Sequence, residues 1–333
     1  MQNDTPTNLL YSFSLLHGHI ASINAISGNS CSEFCTISED RSVQFWKRDA
    51  KNKRYEPFRR FEDERSLFLS SVAYSTDGNF CVFASVLEMQ DEFDFNWVES
   101  KVRVWSLQDQ KKIQINCITE RNFVLCVCFL HDNEHIAYGC DDGSINLFKK
   151  TIKKEKIIFE RYQTLRKHQK GILAIKFCEK TDLLITSSHD ATLSVWKKQD
   201  NEKLTFIKLL VKHTKSVCGV AFSNVKSCFA TVSYDGTFCI WSKDTLNCIM
   251  YKKFKCSLRC VVAFPNTDAF VCGTRDGTLV FWNQNDIPIA DVAFTNRKRS
   301  IECLLFVNQE ENMDILIVGS RDKLLRLCKI LKN

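Results

Sequence analysis

Ser38-Glu39-Asp40-Arg41-Ser42-Val43-Gln44-Phe45-Trp46 sets an acidic residue six positions before an aromatic one. The same frame returns as Asp142 to Phe148, Asp190 to Trp196, Asp235 to Trp241 and Asp276 to Trp282. Two degraded copies run from Glu99 to Trp105 and from Asp322 to Cys328. Successive frame ends lie 59, 43, 48, 45, 41 and 46 residues apart. A period in the forties is the mark of four-stranded units repeated around an axis. Within each frame the acid fits a tight turn. The residues after it alternate, as in Thr192-Leu193-Ser194-Val195-Trp196, which is the pattern of a half-buried strand.

An upstream histidine extends the frame in three repeats. His19, His168 and His213 precede Trp46, Trp196 and Trp241 by 27, 28 and 28 residues, and Ser38, Ser188 and Ser233 stand two before the acid. This set resembles the structural tetrad of WD40 repeats, made of His, Ser or Thr, Asp and Trp. The resemblance implies a buried hydrogen-bond chain in those blades, with His19, Ser38, Asp40 and Trp46 as the first copy. A Ser-His-Asp catalytic triad uses the same residue types, but this set recurs in register with the repeat, whereas a catalytic site occurs once. The chain is therefore read as no enzyme.

The expected fold is an all-β, seven-bladed WD40-type propeller. Each repeat runs past its tryptophan into one more strand, as Phe206 to Val211 does after Trp196, yet only Lys329 to Asn333 follow Cys328. The spare strand Leu9 to Leu16 is expected to complete the last blade, closing the ring and removing its edges. The expected organisation is a flexible N-terminus over 1–7 and one propeller over 8–330, with blade motifs ending near 46, 105, 148, 196, 241, 282 and 328. Repeats 2, 3, 6 and 7 lack the histidine, and their blades are expected to be held mainly by packing.

Composition agrees with a globular chain: 44% hydrophobic and 26% charged residues in 333, with a net charge of +7. Four prolines and 11 glycines exclude a collagen-like or linker-rich chain. The N-terminus lacks the basic and apolar regions of a secretory signal, and no window approaches the ~18 apolar residues of a membrane span. The expectation is a soluble cytoplasmic protein, with the nucleus as the alternative, and no membrane insertion. None of the 17 cysteines forms a Cys-x-x-Cys pair. Cys126 and Cys128 alternate on one face of a strand, and Cys218, Cys228, Cys239 and Cys272 also fall in strand-like runs, so most are read as reduced core residues. No metal and no cofactor are expected.

Function on such a ring is expected in its loops. Propellers of this family are usually scaffolds that bind peptides or domains on one face, lined by two sets of positions. The residue before the turn acid gives Glu39, Asp141, His189, Tyr234, Arg275 and Arg321. The entry to each inner strand gives Ala21, Leu67, Asn122, Lys170, Lys215 and Arg299. Lys170, Lys215, Arg275, Arg299 and Arg321 thus form a candidate basic arc over blades 4 to 7, with His189 and Tyr234 as anchors. Its expected partners are other proteins, offering acidic surfaces or peptides, within a larger complex. Two further segments stand out. Leu87 to Trp97 alternates aromatic and acidic residues in an expected loop, read as folding back on its blade or else binding a partner. Lys149 to Lys156 holds five lysines, read as guarding an outer strand edge rather than touching RNA. Nucleic acid is the less favoured partner, because no RNP-like motif, zinc finger or phosphate loop is present.

In size and in connections such as Trp196 to Lys203 the chain is similar to the cytosolic iron–sulfur assembly propeller, which implies docking in delivery of clusters to apoproteins. Asn247 to Asn266 looks like the late blades of ubiquitin-pathway adaptors. A ribosome-associated scaffold is the further alternative.

Overall fold

In a computed structural model the chain describes residues 10–331, apart from 29–32, 50, 52–53, 91–95, 108–112, 131–132, 155, 224, 283–287, 294–298 and 311–312. The flexible segment expected over 1–7 lies outside the described residues. Seven four-stranded antiparallel sheets are present. We letter their strands a to d from the axis outward. In blade 5 these are Val217–Phe222, Cys228–Ser233, Thr237–Ser242 and Cys248–Lys253. Apart from one 3-10 turn at Glu179–Thr181, no helix occurs among the described residues.

The ring closes through its first strand. Leu10–Leu16 pairs antiparallel with Leu325–Leu331, from Leu10 opposite Ile330 to Leu16 opposite Leu325, and so forms strand d of blade 7. Without it, Leu325–Leu331 would be an open sheet edge.

The core lies between blades. Leu184 and Trp196 of blade 4 pack with Ile145 and Leu147 of blade 3, and Val195 of blade 4 packs with Phe229 and Trp241 of blade 5. Inner ends approach closely. A Cβ on Gly139 or Gly273 would meet Ile172 or Ile301 of the next blade at 2.5 or 2.6 Å. The sixteen described cysteines are free thiols, and Cys126 and Cys128 share one core cluster.

Two expectations for individual segments need correction. The described residues of the blade 2 insertion are strand rather than loop. Strand b, Phe80–Gln90, and strand c, Asn96–Ser106, stay paired from Leu87 opposite Glu99 to Gln90 opposite Asn96. The lysine cluster is not one extended outer strand, since only Lys156 lies on the outer strand of blade 3. It is the hairpin joining strand c, Ser144–Lys153, to strand d, Lys156–Arg166, where Lys153 faces Lys156.

Candidate functional site

One end of the ring gathers the b–c turns and the d–a connections. In six blades the N–H of the residue before the turn acid donates to the carbonyl of the residue before strand a. These are Glu39 to Ser22, Asp141 to Phe123, His189 to Gly171, Tyr234 to Ser216, Arg275 to Ser257 and Arg321 to Ser300. The two sets of positions read from the sequence therefore stand side by side on this face.

Buried polar chains fix these loops in blades 1, 4 and 5. In blade 1, Trp46 Nε1 donates to Thr36 Oγ1 at 3.0 Å, and Thr36 lies 2.8 Å from His19 Nε2. His19 Nδ1 is 3.0 Å from Asp40, which also accepts the N–H of Ile20 at 3.0 Å. In blade 5, Trp241 Nε1 donates to Thr231 at 2.9 Å, Thr231 bonds His213 Nε2 at 2.8 Å, and Nδ1 reaches Thr237 at 2.6 Å. Thr237 in turn donates to Asp235. Blade 4 adds a hydroxyl: Trp196 to Ser194 at 2.7 Å, Ser194 to Thr186 at 2.6 Å, Thr186 to His168 at 2.9 Å, and His168 to Asp190 at 3.0 Å. The aspartate thus ties the d–a connection to the b–c turn.

The hydroxyl inside each chain is Thr36, Thr186 or Thr231, four before the acid. Ser38, Ser188 and Ser233 stand two before it and instead accept the N–H of Asp40, Asp190 and Asp235 at 3.1 Å. This corrects the serine assignment. Side chains alternate along strand b, so both hydroxyls share one face, but only the threonine lies deep enough to meet the tryptophan.

The chain is electrostatically poised. Burial pushes the His213 pKa down to about 4 against the pull of Asp235, and burial likewise lowers His168 below its usual value despite Asp190. Burial pushes Asp235 upward, but hydrogen bonds from Thr214 and Thr237 overcome it and hold it at about 2. A neutral imidazole therefore donates from Nδ1 and accepts at Nε2.

Blades 2 and 7 carry largely buried charge pairs where blades 1, 4 and 5 carry the histidine chain. Arg103 lies 2.8 Å from Asp63, with the side chains 11% and 9% exposed. Arg326 grips Asp322 with two nitrogens, at 2.9 and 2.5 Å. Blade 6 points Trp282 Nε1 at the Met250 sulfur, 3.0 Å away. Trp105 Nε1 in blade 2 is buried with no hydrogen-bond partner.

Lys170, Lys215, Arg275, Arg299 and Arg321 are all exposed, as is His189, and Tyr234 is half-buried. Two residues missed from the sequence sit among them. Arg259 stacks on Tyr234 at 4.7 Å and lies 3.5 Å from Glu302, and Arg321 lies 2.8 Å from the same carboxylate. Both occupy the step after the first residue of strand a, where the register slips by one residue. That slip carries no sequence signal. His189 Nδ1 meets Ser216 at 3.0 Å, and burial together with the Lys170 charge lowers its pKa.

The opposite side of the face exposes apolar side chains among the charges of Glu64, Arg65, Arg121 and Asp141. Phe68 and Phe123, each 37% exposed, stand immediately before the buried Leu69 and Val124, with Leu67 alongside at 42%. The same step in the other five blades is Ser22, Gly171, Ser216, Ser257 and Ser300. Strands b and c of blade 2 extend beyond this side.

Of the five lysines in the c–d hairpin of blade 3, Lys149 pairs with Glu202, Lys150 with Glu134 at 2.7 Å and Lys153 with Glu160 at 2.5 Å. Among the described residues no group of three or more His, Cys, Asp or Glu side chains is placed to hold a metal. Among the described residues no helix is long and apolar enough to cross a membrane.

The family model described as WD domain, G-beta repeat matches residues 112–149, 159–197, 204–242 and 249–283. Each match starts at or beside the outer strand of one blade and ends at the third strand of the next. The repeat is thus offset from the blade by one strand, and this offset is what the N-terminal strand closes. The chain is also similar to Apoptotic protease-activating factor 1 of Homo sapiens, at 24% identity over 193 residues. That match covers 55% of this chain, and the chain spans 12% of the length of that relative.

Proposed function

From the premise that this chain is a seven-bladed β-propeller of WD40 repeats, we propose that it is a non-catalytic scaffold. It docks an acidic protein segment on the loop face over blades 4 to 7. The observation that carries this reading is the run of exposed cations on neighbouring blades of one face: Lys170 and Lys215 at the entry to strand a of blades 4 and 5, and Arg275 in the adjacent b–c turn of blade 6. An acidic segment would gain charge-assisted hydrogen bonds there. Arg321 and Arg259 already share Glu302, so they brace the blade 7 side of the site around Tyr234. Leu67, Phe68 and Phe123 favour a partner whose acidic stretch is followed by apolar side chains, because exposed aromatics are the usual anchors of a docked chain. The scaffold reading does not depend on which pathway the chain serves.

The test is the variant Lys170→Glu, Lys215→Glu, Arg275→Glu, with tagged protein recovered from cells and its bound proteins quantified. Melting should stay within a few degrees of wild type, because each exposed change moves stability by about 0.5 kcal/mol or less. The main bound proteins should be lost. Their retention at wild-type levels would refute docking on this arc.

A further inference from the structure

The inner strands leave a channel along the propeller axis, and its half remote from the loop face is lined unlike the rest. Two adjoining cavities of about 500 and 230 Å³ occupy it, sharing Ile26, Ser27 and Lys176. The walls come from two successive positions of each inner strand. The first is aliphatic all round, as at Ile26, Val220, Val261 and Leu304. At the second, six blades carry Ser, Ala, Cys, Ala, Val and Leu, and blade 4 carries Lys176. Lys176 is exposed to the channel, and among the described residues it makes no hydrogen bond or ion pair. Its charge reaches the neighbouring wall, where it pulls against the burial that raises the Cys128 thiol to about 12.

We propose that this half of the channel is a binding site for a small aliphatic monocarboxylate, whose carboxylate pairs with Lys176 and whose tail lies along the aliphatic ring. The larger cavity falls in the size range of small-molecule sites, about 300–1,000 Å³. Such sites pair apolar walls with a few placed polar groups, and here Lys176 stands beside the mostly apolar wall of the larger cavity, while Thr76 and Glu179 line the smaller one. A dianion would set its second charge against hydrocarbon or Glu179, and a neutral chain would gain no charge-assisted hydrogen bond from Lys176. The site is separate from the loop face and independent of the scaffold reading.

Calorimetric titration of the full chain with octanoate, octan-1-ol and succinate tests it. Octanoate should bind at one site, about tenfold or more tighter than octan-1-ol, which is the contribution of one charge-assisted hydrogen bond. Succinate should not bind. Lys176→Met should leave melting unchanged and erase the preference for octanoate over the alcohol. Absence of octanoate binding at millimolar concentration would overturn the proposal. So would a preference that survives Lys176→Met, because the ligand would then sit on apolar surface elsewhere, such as Ile207 and Val211 on the rim.

Discussion

Thr231 shows how much one hydroxyl can organise. It accepts from Trp241 and bonds His213, so its loss strands a buried indole N–H and an imidazole nitrogen together. Thr231→Val should cost about 1–3 kcal/mol, measured by urea denaturation. Ser233→Ala should cost less, since Ser233 bonds only main-chain groups, the N–H of Asp235 and the carbonyl of Lys215. Equal losses would mean that the threonine does not carry the chain. Acid should find the same network. The unfolded chain protonates its histidines near pH 6.5, whereas native His213 resists until about 4. Between those values the unfolded state binds more protons, so stability is full above about pH 6.5 and falls as pH drops toward 4. The loss is roughly 3 kcal/mol from His213 alone at 1.4 kcal/mol per unit. Denaturation at stepped pH should show this decline, and His213→Gln should be less stable at pH 7 but flatter between pH 6.5 and 5. A parallel slope in the variant would remove His213 as its source. The tetrad acids were legible in the sequence because each repeats at a fixed distance from an aromatic. The threonine was not, because strand alternation offers two hydroxyls and only depth separates them.

In six blades the b–c turn places the residue after its acid in the left-handed region. Glycine fills it at Gly143, Gly236 and Gly277, with φ of 81°, 81° and 85°, but blade 4 uses Ala191 at 68°. A Cβ there costs about 1 kcal/mol or more, so Ala191→Gly should stabilise the fold by roughly that amount, read as a raised urea midpoint. No gain would show that the turn tolerates alanine without strain. The closing strand acts at the same scale. Removing residues 1–16 takes away the partner of Leu325–Leu331 and leaves an open edge beside the buried Leu325 and Leu327. Such an edge invites pairing with other chains. The truncated protein should melt lower and run as higher assemblies in size-exclusion chromatography, and a monomer melting like wild type would contradict the closure argument. Blade number and closure were legible because the period and the spare first strand are properties of the whole chain. Strands b and c of the blade 2 insertion were not, because an insertion interrupts the frame from which strands were counted. Arg103–Asp63 was hidden for a different reason: its members come from a d–a connection and a strand c, with no repeat to flag them.

Across the loop face, exposed apolar side chains stand on blades 2 and 3 together with Glu64, Arg65, Arg121 and Asp141, and exposed cations recur on blades 4 to 6. Lys170, Lys215 and Arg275 stand at loop positions of blades 4 to 6, whereas blades 2 and 3 offer Leu67, Phe68 and Phe123. Cations grouped on one side of a rigid face steer an acidic partner toward one orientation, and apolar contacts then hold it. The two halves should therefore separate kinetically. Exposed charges act mainly on the association rate, and they are screened beyond about 8–10 Å at physiological salt. Apolar contacts act mainly on dissociation. For a partner recovered with the wild-type chain, surface plasmon resonance should show an association rate that falls about tenfold or more as salt rises from about 0.05 to 0.5 M. Lys170→Glu, Lys215→Glu, Arg275→Glu should depress the low-salt rate and flatten that dependence. Phe68→Ser, Phe123→Ser gives both positions the residue common in the other blades, and it should raise the dissociation rate with the salt slope intact. If the phenylalanine pair instead changes only the salt slope, or the cation triple changes only dissociation, the face is not divided into a steering half and a holding half.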